Sequence, residues 1–307
     1  MIPSNLRRPR FLLVAFIIAI AALLPLGVSG YILGLLTIAY YFGVFSMSWD
    51  LLFGFANEVN FGPTFLVGLG AYTAGILDNR YGLPIPFCLA LGTLAAVVGG
   101  LVLALPALRL SGPYFGLTTL VAVLLLQNLV VVFAGLTGGE IGLTVPDVIS
   151  IRAPANYWIA LAFMVASGSV LYVLSRSATG LILQASGQDR VQAGALGFNV
   201  VKHKLFAFLV SALFSGLAGA LLVFYLGTAS VGTLIDVTVG VQIIIAAILG
   251  GRRTIIGAAI GAIFLIVMTE ALRSTGELAT FVVSAIALLV VMLFPNGFMG
   301  ILSRERK

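Results

Sequence analysis

The sequence predicts an all-α polytopic membrane protein. It should have about ten transmembrane helices, some of them short or broken, with both the N-terminus and the C-terminus in the cytoplasm. Three observations lead there. Of the 307 residues, 61% are hydrophobic and only 8% are charged, against about 45–50% and about 25% in an average soluble domain. The apolar residues gather in runs of near membrane-spanning length, and a helix needs about 20 of them to cross a hydrocarbon core of about 30 Å. The basic residues fall on one side when those runs are alternated across a membrane. The same composition excludes a soluble globular enzyme, a disordered chain and a nucleic-acid-binding domain. The pI of 9.7 records basic membrane loops rather than an anionic partner. One histidine and one cysteine, Cys88, speak against a transition-metal site and leave no intrachain disulfide.

The predicted spans are approximately 11–29, 31–53, 62–77, 85–108, 114–134, 157–175, 205–227, 237–250, 255–273 and 277–295. In the first, Arg7, Arg8 and Arg10 precede an apolar run from Phe11 to Leu26 that ends near Val28-Ser29-Gly30. That pattern resembles a signal peptide, but the chain that follows is also apolar, which favours a first membrane helix with a basic flank. The third run is short and glycine-rich and the eighth is shorter still, so either can be a half-helix or a re-entrant segment enclosed by protein. Alternating ten-residue strands, the mark of an outer-membrane barrel, are absent from the sequence.

Charge tests the count. With the N-terminus inside, thirteen of the 16 basic residues lie inside and three, Arg80, Arg152 and Arg273, lie outside. Asp78, Glu140, Asp147, Asp236 and Glu277 also fall outside. This basic bias sets orientation. The chain reads as one transmembrane domain over 1–307 with two informative loops, an outer one at 135–156 and an inner one at 176–204. Glycines 138, 139 and 142, with Pro146 and Pro154, suit an ordered, turn-rich outer cap or surface helix. The inner loop is the most polar stretch of the chain. Its middle, Gln188 to Leu196, favours helix and is bounded by Gly187 and by the helix stop Gly197-Phe198-Asn199.

Small residues four apart (Gly257 and Gly261; Ser211, Ser215 and Gly219; Ala212 and Gly216) predict close helix packing. Few ionisable residues fall in or beside the spans. Asp50 and Glu58 lie near the inner side, where a cap or interfacial position is the plainest reading. Glu270 and Arg273 have the spacing of a same-face pair. A proton relay, a voltage sensor, a Ser/His/Asp set and a phosphate-binding loop all lack their residues. Polar residues that could line a pathway are Asn57, Glu58 and Asn60 in the connector before the third span, Thr118, Thr119, Gln127 and Asn128 in the fifth, and Gln242 in the eighth. Hydrogen bonding between helices is the competing explanation for these.

Four stretches, taken together and in order, resemble one family. They are Val59-Asn60-Phe61-Gly62 running into Gly68-Leu69-Gly70-Ala71-Tyr72-Thr73-Ala74; Leu108-Arg109-Leu110-Ser111-Gly112-Pro113-Tyr114-Phe115, with Leu136-Thr137-Gly138-Gly139 later; Ala193-Gly194-Ala195-Leu196-Gly197-Phe198-Asn199 with Lys202-His203-Lys204-Leu205; and Leu249-Gly250-Gly251 with Thr254, ending in Leu293-Phe294-Pro295-Asn296-Gly297. They span about 59–300 and resemble the LivM-type permease subunits of branched-chain amino acid ABC importers. The resemblance implies a non-catalytic subunit of a bacterial inner-membrane importer. Its implied partners are a LivH-like second permease, two cytoplasmic ATPases that hold ATP and Mg, and a periplasmic binding protein. It implies that the inner-loop helix is the coupling helix, with Gln188, Asp189, Arg190, Gln192, Ala195, Leu196 and Gly197 at the ATPase contact. Gly194 stands where the family usually carries an acidic residue, and Arg252-Arg253 replaces a Leu-Gly pair. Relatives in the family move amino acids, urea, amides and short carboxylates, so the substrate stays open. A stand-alone secondary transporter or channel, and a purely structural subunit, are the alternative classes. The first would need mid-membrane acidic or sodium-coordinating residues that the sequence lacks.

Overall fold

The computed structural model describes residues 16–108, 110 and 113–273, and the single positions 285 and 297. The tenth expected span, 277–295, and both termini lie outside the described residues. Thirteen helices are described, together with one two-stranded ladder. They are α1 (Phe16–Leu26), α2 (Gly30–Phe55), α3 (Pro63–Tyr81), α4 (Ile85–Ala107), α5 (Pro113–Val132), α6 (Ala134–Thr137), α7 (Ala153–Arg176), α8 (Ala178–Gln188), α9 (Arg190–Ala195), α10 (Val200–Leu226), α11 (Val231–Leu234), α12 (Val237–Gly250) and α13 (Ile255–Ala271). Six segments are long and apolar enough to cross a membrane: α2, α4, α5, α7, α10 and the α11–α12 unit, while α1 and α13 are shorter apolar helices. This is a multi-pass helical membrane protein.

Each boundary has a local cause. Pro63 opens α3, where its missing N–H costs nothing, and Gly82 closes the helix with a φ of 58°. The helix runs one turn beyond the expected 62–77. Asp78, Asn79 and Arg80 end the apolar run but stay helical because each finds a partner beyond the helix. The Asp147 amide donates to Asp78 Oδ2 at 3.2 Å, Asn79 Nδ2 donates to the Thr144 carbonyl at 2.9 Å, and Arg80 donates to the Gly135 carbonyl. Helix α10 begins five residues before the expected 205, since the Asn199 side chain accepts from the Lys202 amide at 3.0 Å and so caps Val200 to Lys204 into the helix. The eighth span is a broken unit. α11 stops at Leu234, and α12 starts after Asp236, whose carboxylate accepts the Thr238 amide at 2.6 Å. Fourteen residues of α12 reach about 21 Å, short of a full crossing alone.

Two layers form the body. Helices α3, α4 and α10 pack on one another, and α2 packs against α7, α12 and α13. α2 and α10 also meet, so they carry the longest buried faces. Small residues set the close crossings. A Cβ on Gly70 would lie 2.2 Å from the Gly216 carbonyl oxygen, and one on Gly257 would lie 2.4 Å from the Gly250 oxygen. The helices alternate in direction, so Phe55, Arg176, Val200 and Arg252 share one end, here the basic end. At the other end β1 (Leu143–Thr144) pairs antiparallel with β2 (Thr228–Ala229). Glycines 138, 139 and 142 adopt positive φ there, which gives the ordered, turn-rich loop expected from the sequence.

Candidate functional site at the basic end

The inner loop folds as two helices rather than one. α8 continues to Gln188, and α9 begins at Arg190. Gly187 therefore lies inside α8 and does not bound the helix as expected. The break comes from Asp189, whose Oδ1 accepts the Val191 and Gln192 amides at 2.8 and 2.9 Å. An aspartate at the N-cap satisfies two orphan donors and opens a new helix. The other boundary stands as expected, with Gly197 at a φ of 86°. Of the coupling candidates, Gln188, Arg190, Gln192, Ala195, Leu196 and Gly197 are exposed and Asp189 is half-buried. Val191, absent from the sequence-derived set, is 80% exposed beside Leu196 at 74%. Val191 lies on the six-residue α9 and Leu196 just past its end, and among the described residues both large aliphatic side chains are left open to solvent.

The connector 56–62 leads from this end toward α3. Past Ala56 it is neither helix nor strand, yet Ala56, Glu58, Asn60 and Gly62 are buried. Just before it the last turn of α2, Leu51–Phe55, widens to a π turn, a feature frequent at functional sites. Asp50 at the head of that turn is fully buried, and its Oδ1 accepts the Arg253 amide at 3.1 Å. Arg253 has a φ of 63° and donates through Nε to the Gly54 carbonyl at 2.8 Å. Arg252 lies 4.7 Å over the Phe53 ring and donates to Asn57 Oδ1 at 2.5 Å, so cation–π attraction and a hydrogen bond both hold it. Burial and then the adjacent Arg253 push the Arg252 proton affinity down, with Asp50 opposing. The guanidinium stays charged at neutral pH.

The structure does not bring the expected pathway residues together at one place. Glu58, Asn60 and Thr119 are buried, and each bonds at the connector with its own partners. Glu58 Oε1 is 2.5 Å from Lys204 Nζ. The Asn60 carbonyl accepts from Trp49 Nε1 at 2.6 Å, and its Oδ1 accepts the Gly62 amide at 2.8 Å. Thr119 Oγ1 accepts the Phe61 amide at 3.0 Å and donates to the Gly116 carbonyl at 2.8 Å. Thr118 and Asn128 instead donate to carbonyls four residues back on their own helix. Gln127 donates to the Ile235 carbonyl at 3.2 Å, at the break between α11 and α12. Gln242 is half-buried on α12. Sequence reasoning missed Lys204 and Trp49. Lys204 sits in the most polar loop and reads as one more basic residue, and Trp49 reads as core.

The Thr119 contact makes a stability prediction. Thr119→Val should leave the Phe61 N–H without its acceptor and cost about 1–3 kcal/mol. Thr119→Ser should restore it. The thermal midpoint of the purified protein in detergent is the measurement, and an unchanged Thr119→Val midpoint would contradict the contact.

An apolar multi-pass bundle with a polar two-helix loop at its basic end and a buried non-helical connector behind it has the layout of a permease. A family model described as "Branched-chain amino acid transport system / permease component" matches residues 31–294, and the chain belongs to that family. It is 25% identical to the high-affinity branched-chain amino acid transport system permease protein LivM of Salmonella typhimurium, over 96% of this chain and 76% of that one. The figures for LivM of Escherichia coli are the same. It is also 30% identical to the autoinducer 2 import system permease protein LsrC of an Enterobacter species, over 68% of this chain and 61% of that one. No solved structure matches the chain.

Proposed function

We propose that this chain is one of two permease subunits of an ATP-driven importer in a bacterial cytoplasmic membrane, and that the importer takes up branched-chain or related hydrophobic amino acids. The observation that carries the reading is the α8–α9 unit. It projects from the basic end, which the positive-inside rule puts in the cytoplasm. Its second helix, α9, is bounded by the Asp189 cap on one side and the Gly197 turn on the other, and the unit leaves Val191 and Leu196 open to an outside partner. A displayed apolar anchor flanked by Gln188, Asp189, Arg190 and Gln192 suits a groove on an ATPase, with ATP and Mg held there and not by this chain. Arg190, with Arg252 and Arg253 at the same end, favours an ATPase surface that is acidic at the contact. A LivH-like permease supplies the other half of the pathway, and a periplasmic binding protein delivers substrate at the β1–β2 end.

The amino acid reading follows the relatives aligned over nearly the whole chain. A second reading, the same machine with another small substrate, is favoured by the likeness to a permease named for autoinducer 2. Proteoliposomes holding the complete complex, with the binding protein, separate the two readings. Leucine uptake that needs ATP is the expected result. Uptake of a different solute with none of leucine would select the second reading, and leucine uptake without the ATPases would overturn the importer mechanism.

A further inference from the structure

The connector 56–62 is held at three places. At its start, α8 lies directly on it. A Cβ on Gly187 would be 2.7 Å from the Phe55 carbonyl oxygen and 3.0 Å from the Ala56 carbonyl carbon, so backbone meets backbone with no side chain between. In its middle, Glu58 pairs with Lys204 near the foot of α10, and the two residues are 8% and 6% exposed. At its end, the Phe61 amide bonds Thr119 on α5. A Cβ on Gly62 would be 2.1 Å from the Thr119 carbonyl oxygen. Pro63 then opens α3 at once. Through these three contacts the connector ties α8, α10, α5 and α3 together.

A buried ion pair is a poor source of stability. Desolvation of both charges offsets most of their attraction, and apolar residues of similar volume often do as well or better. Removing one partner is different, because it strands a charge in the interior. An ion pair does provide something an apolar contact lacks, which is one defined register. An apolar connector can slide along α10, whereas Glu58 is ion-paired, among the described residues, with Lys204 alone.

We propose that Glu58 and Lys204 are a positioning pair. They pin the connector to α10, so that movement of α8–α9 is passed through Phe55 and Ala56 into the connector and on to α3 and α5. Neither side chain touches substrate. The proposal rests on the reading of α8–α9 as the ATPase contact. A shift of α8 bears on the backbone at Gly187, and the connector is too short and too closely bonded at both ends to absorb it. With the pair intact the strain reaches Thr119 and the first turn of α3. With the pair replaced by apolar groups the connector slips on α10 and the shift is lost.

The test uses the whole complex in proteoliposomes, with uptake and ATP hydrolysis measured together. The first measurement is wild-type uptake with and without ATP. Uptake independent of ATP would defeat the importer reading itself, whatever the variants do. Given ATP-driven uptake, the double variant Glu58→Met, Lys204→Met removes the charges while keeping bulk and should assemble with a thermal midpoint near that of wild type. Its hydrolysis should stay within about twofold while solute moved per ATP falls about tenfold, as for substitutions along a coupling network. Gly187→Ala keeps the pair and displaces α8 from Phe55, and it should lower the same ratio. Uptake per ATP at the wild-type level in an assembled double variant would overturn the proposal, since a purely structural pair predicts that outcome. If the double variant does not assemble, Gly187→Ala decides alone, and an unchanged ratio there overturns the transmission route.

Discussion

Gly70→Val should abolish the folded bundle. A Cβ at this position would lie 2.2 Å from the Gly216 carbonyl oxygen and 2.8 Å from its Cα. Both obstacles are backbone, so no side-chain rotation relieves them. Gly216 cannot retreat, because a Cβ built there would already be 2.3 Å from the Ala96 Cβ on α4. Three helices therefore meet where none can give. Forcing extra carbon atoms into a packed interior costs about 1–3 kcal/mol where neighbours can adjust, and more where they cannot. The expected result is loss of the monodisperse species on size-exclusion chromatography in detergent. Gly99→Ala is the control. The nearest atom to its Cβ is Leu69 Cδ1, at 2.2 Å, the tip of a flexible side chain, and the variant should keep its yield. Normal yield for Gly70→Val would mean that α3 and α10 do not cross this closely.

Ala195→Asp and Gly197→Pro should each leave the chain in the membrane and cut uptake, for different reasons. Ala195 is exposed on α9 between the anchors Val191 and Leu196. A carboxylate there would enter an apolar interface unpaired, and losses at such anchors run to about 2 kcal/mol or more, which is roughly 30-fold or more in binding. Gly197 holds a φ of 86°. Proline fixes φ near −65°, so Gly197→Pro re-aims the chain between α9 and α10 without touching the apolar patch. Both variants should purify in normal amount, with their ATPase partners bound weakly or hydrolysing ATP without transport. Coupled uptake at the wild-type rate in both would remove α9 from the mechanism.

Much of this fold is legible from one-dimensional pattern. The apolar runs give the helices because a span must satisfy its own backbone in lipid. Gly197 reads as a helix stop, and the Glu270 and Arg273 pair reads from spacing alone and is present at 3.3 Å. The boundaries that shifted did so where a polar side chain found a distant partner. α3 outran its apolar run because Asp78 and Asn79 bond the 144–147 strand and turn. The inner loop divides into two helices because Asp189, expected at the ATPase contact, turns its carboxylate onto the amides of Val191 and Gln192. At the candidate site the sequence marks Glu58, Asn60 and Thr119 as unusual but cannot say with what. Their partners come from α2, α5 and α10, and nothing local records which helix lies beside which. Thr118 and Asn128 carry the opposite lesson. A polar residue within an apolar run can satisfy itself four residues back and owe nothing to a pathway.

The Glu58–Lys204 pair also sets an order of events during synthesis. Its members are 146 residues apart, and at about 5–20 residues per second Lys204 is made about 7–30 s after Glu58. Through that interval α2 can insert, but the carboxylate has no cation to meet, and hydrocarbon is closed to it. The connector must therefore wait at the water-facing surface, with α3 held beside it, until α10 arrives. Seating of the connector is a late step of biogenesis, and a chain arrested before Lys204 should show Glu58 and Asn60, which are buried in the finished protein, open to water-soluble labels.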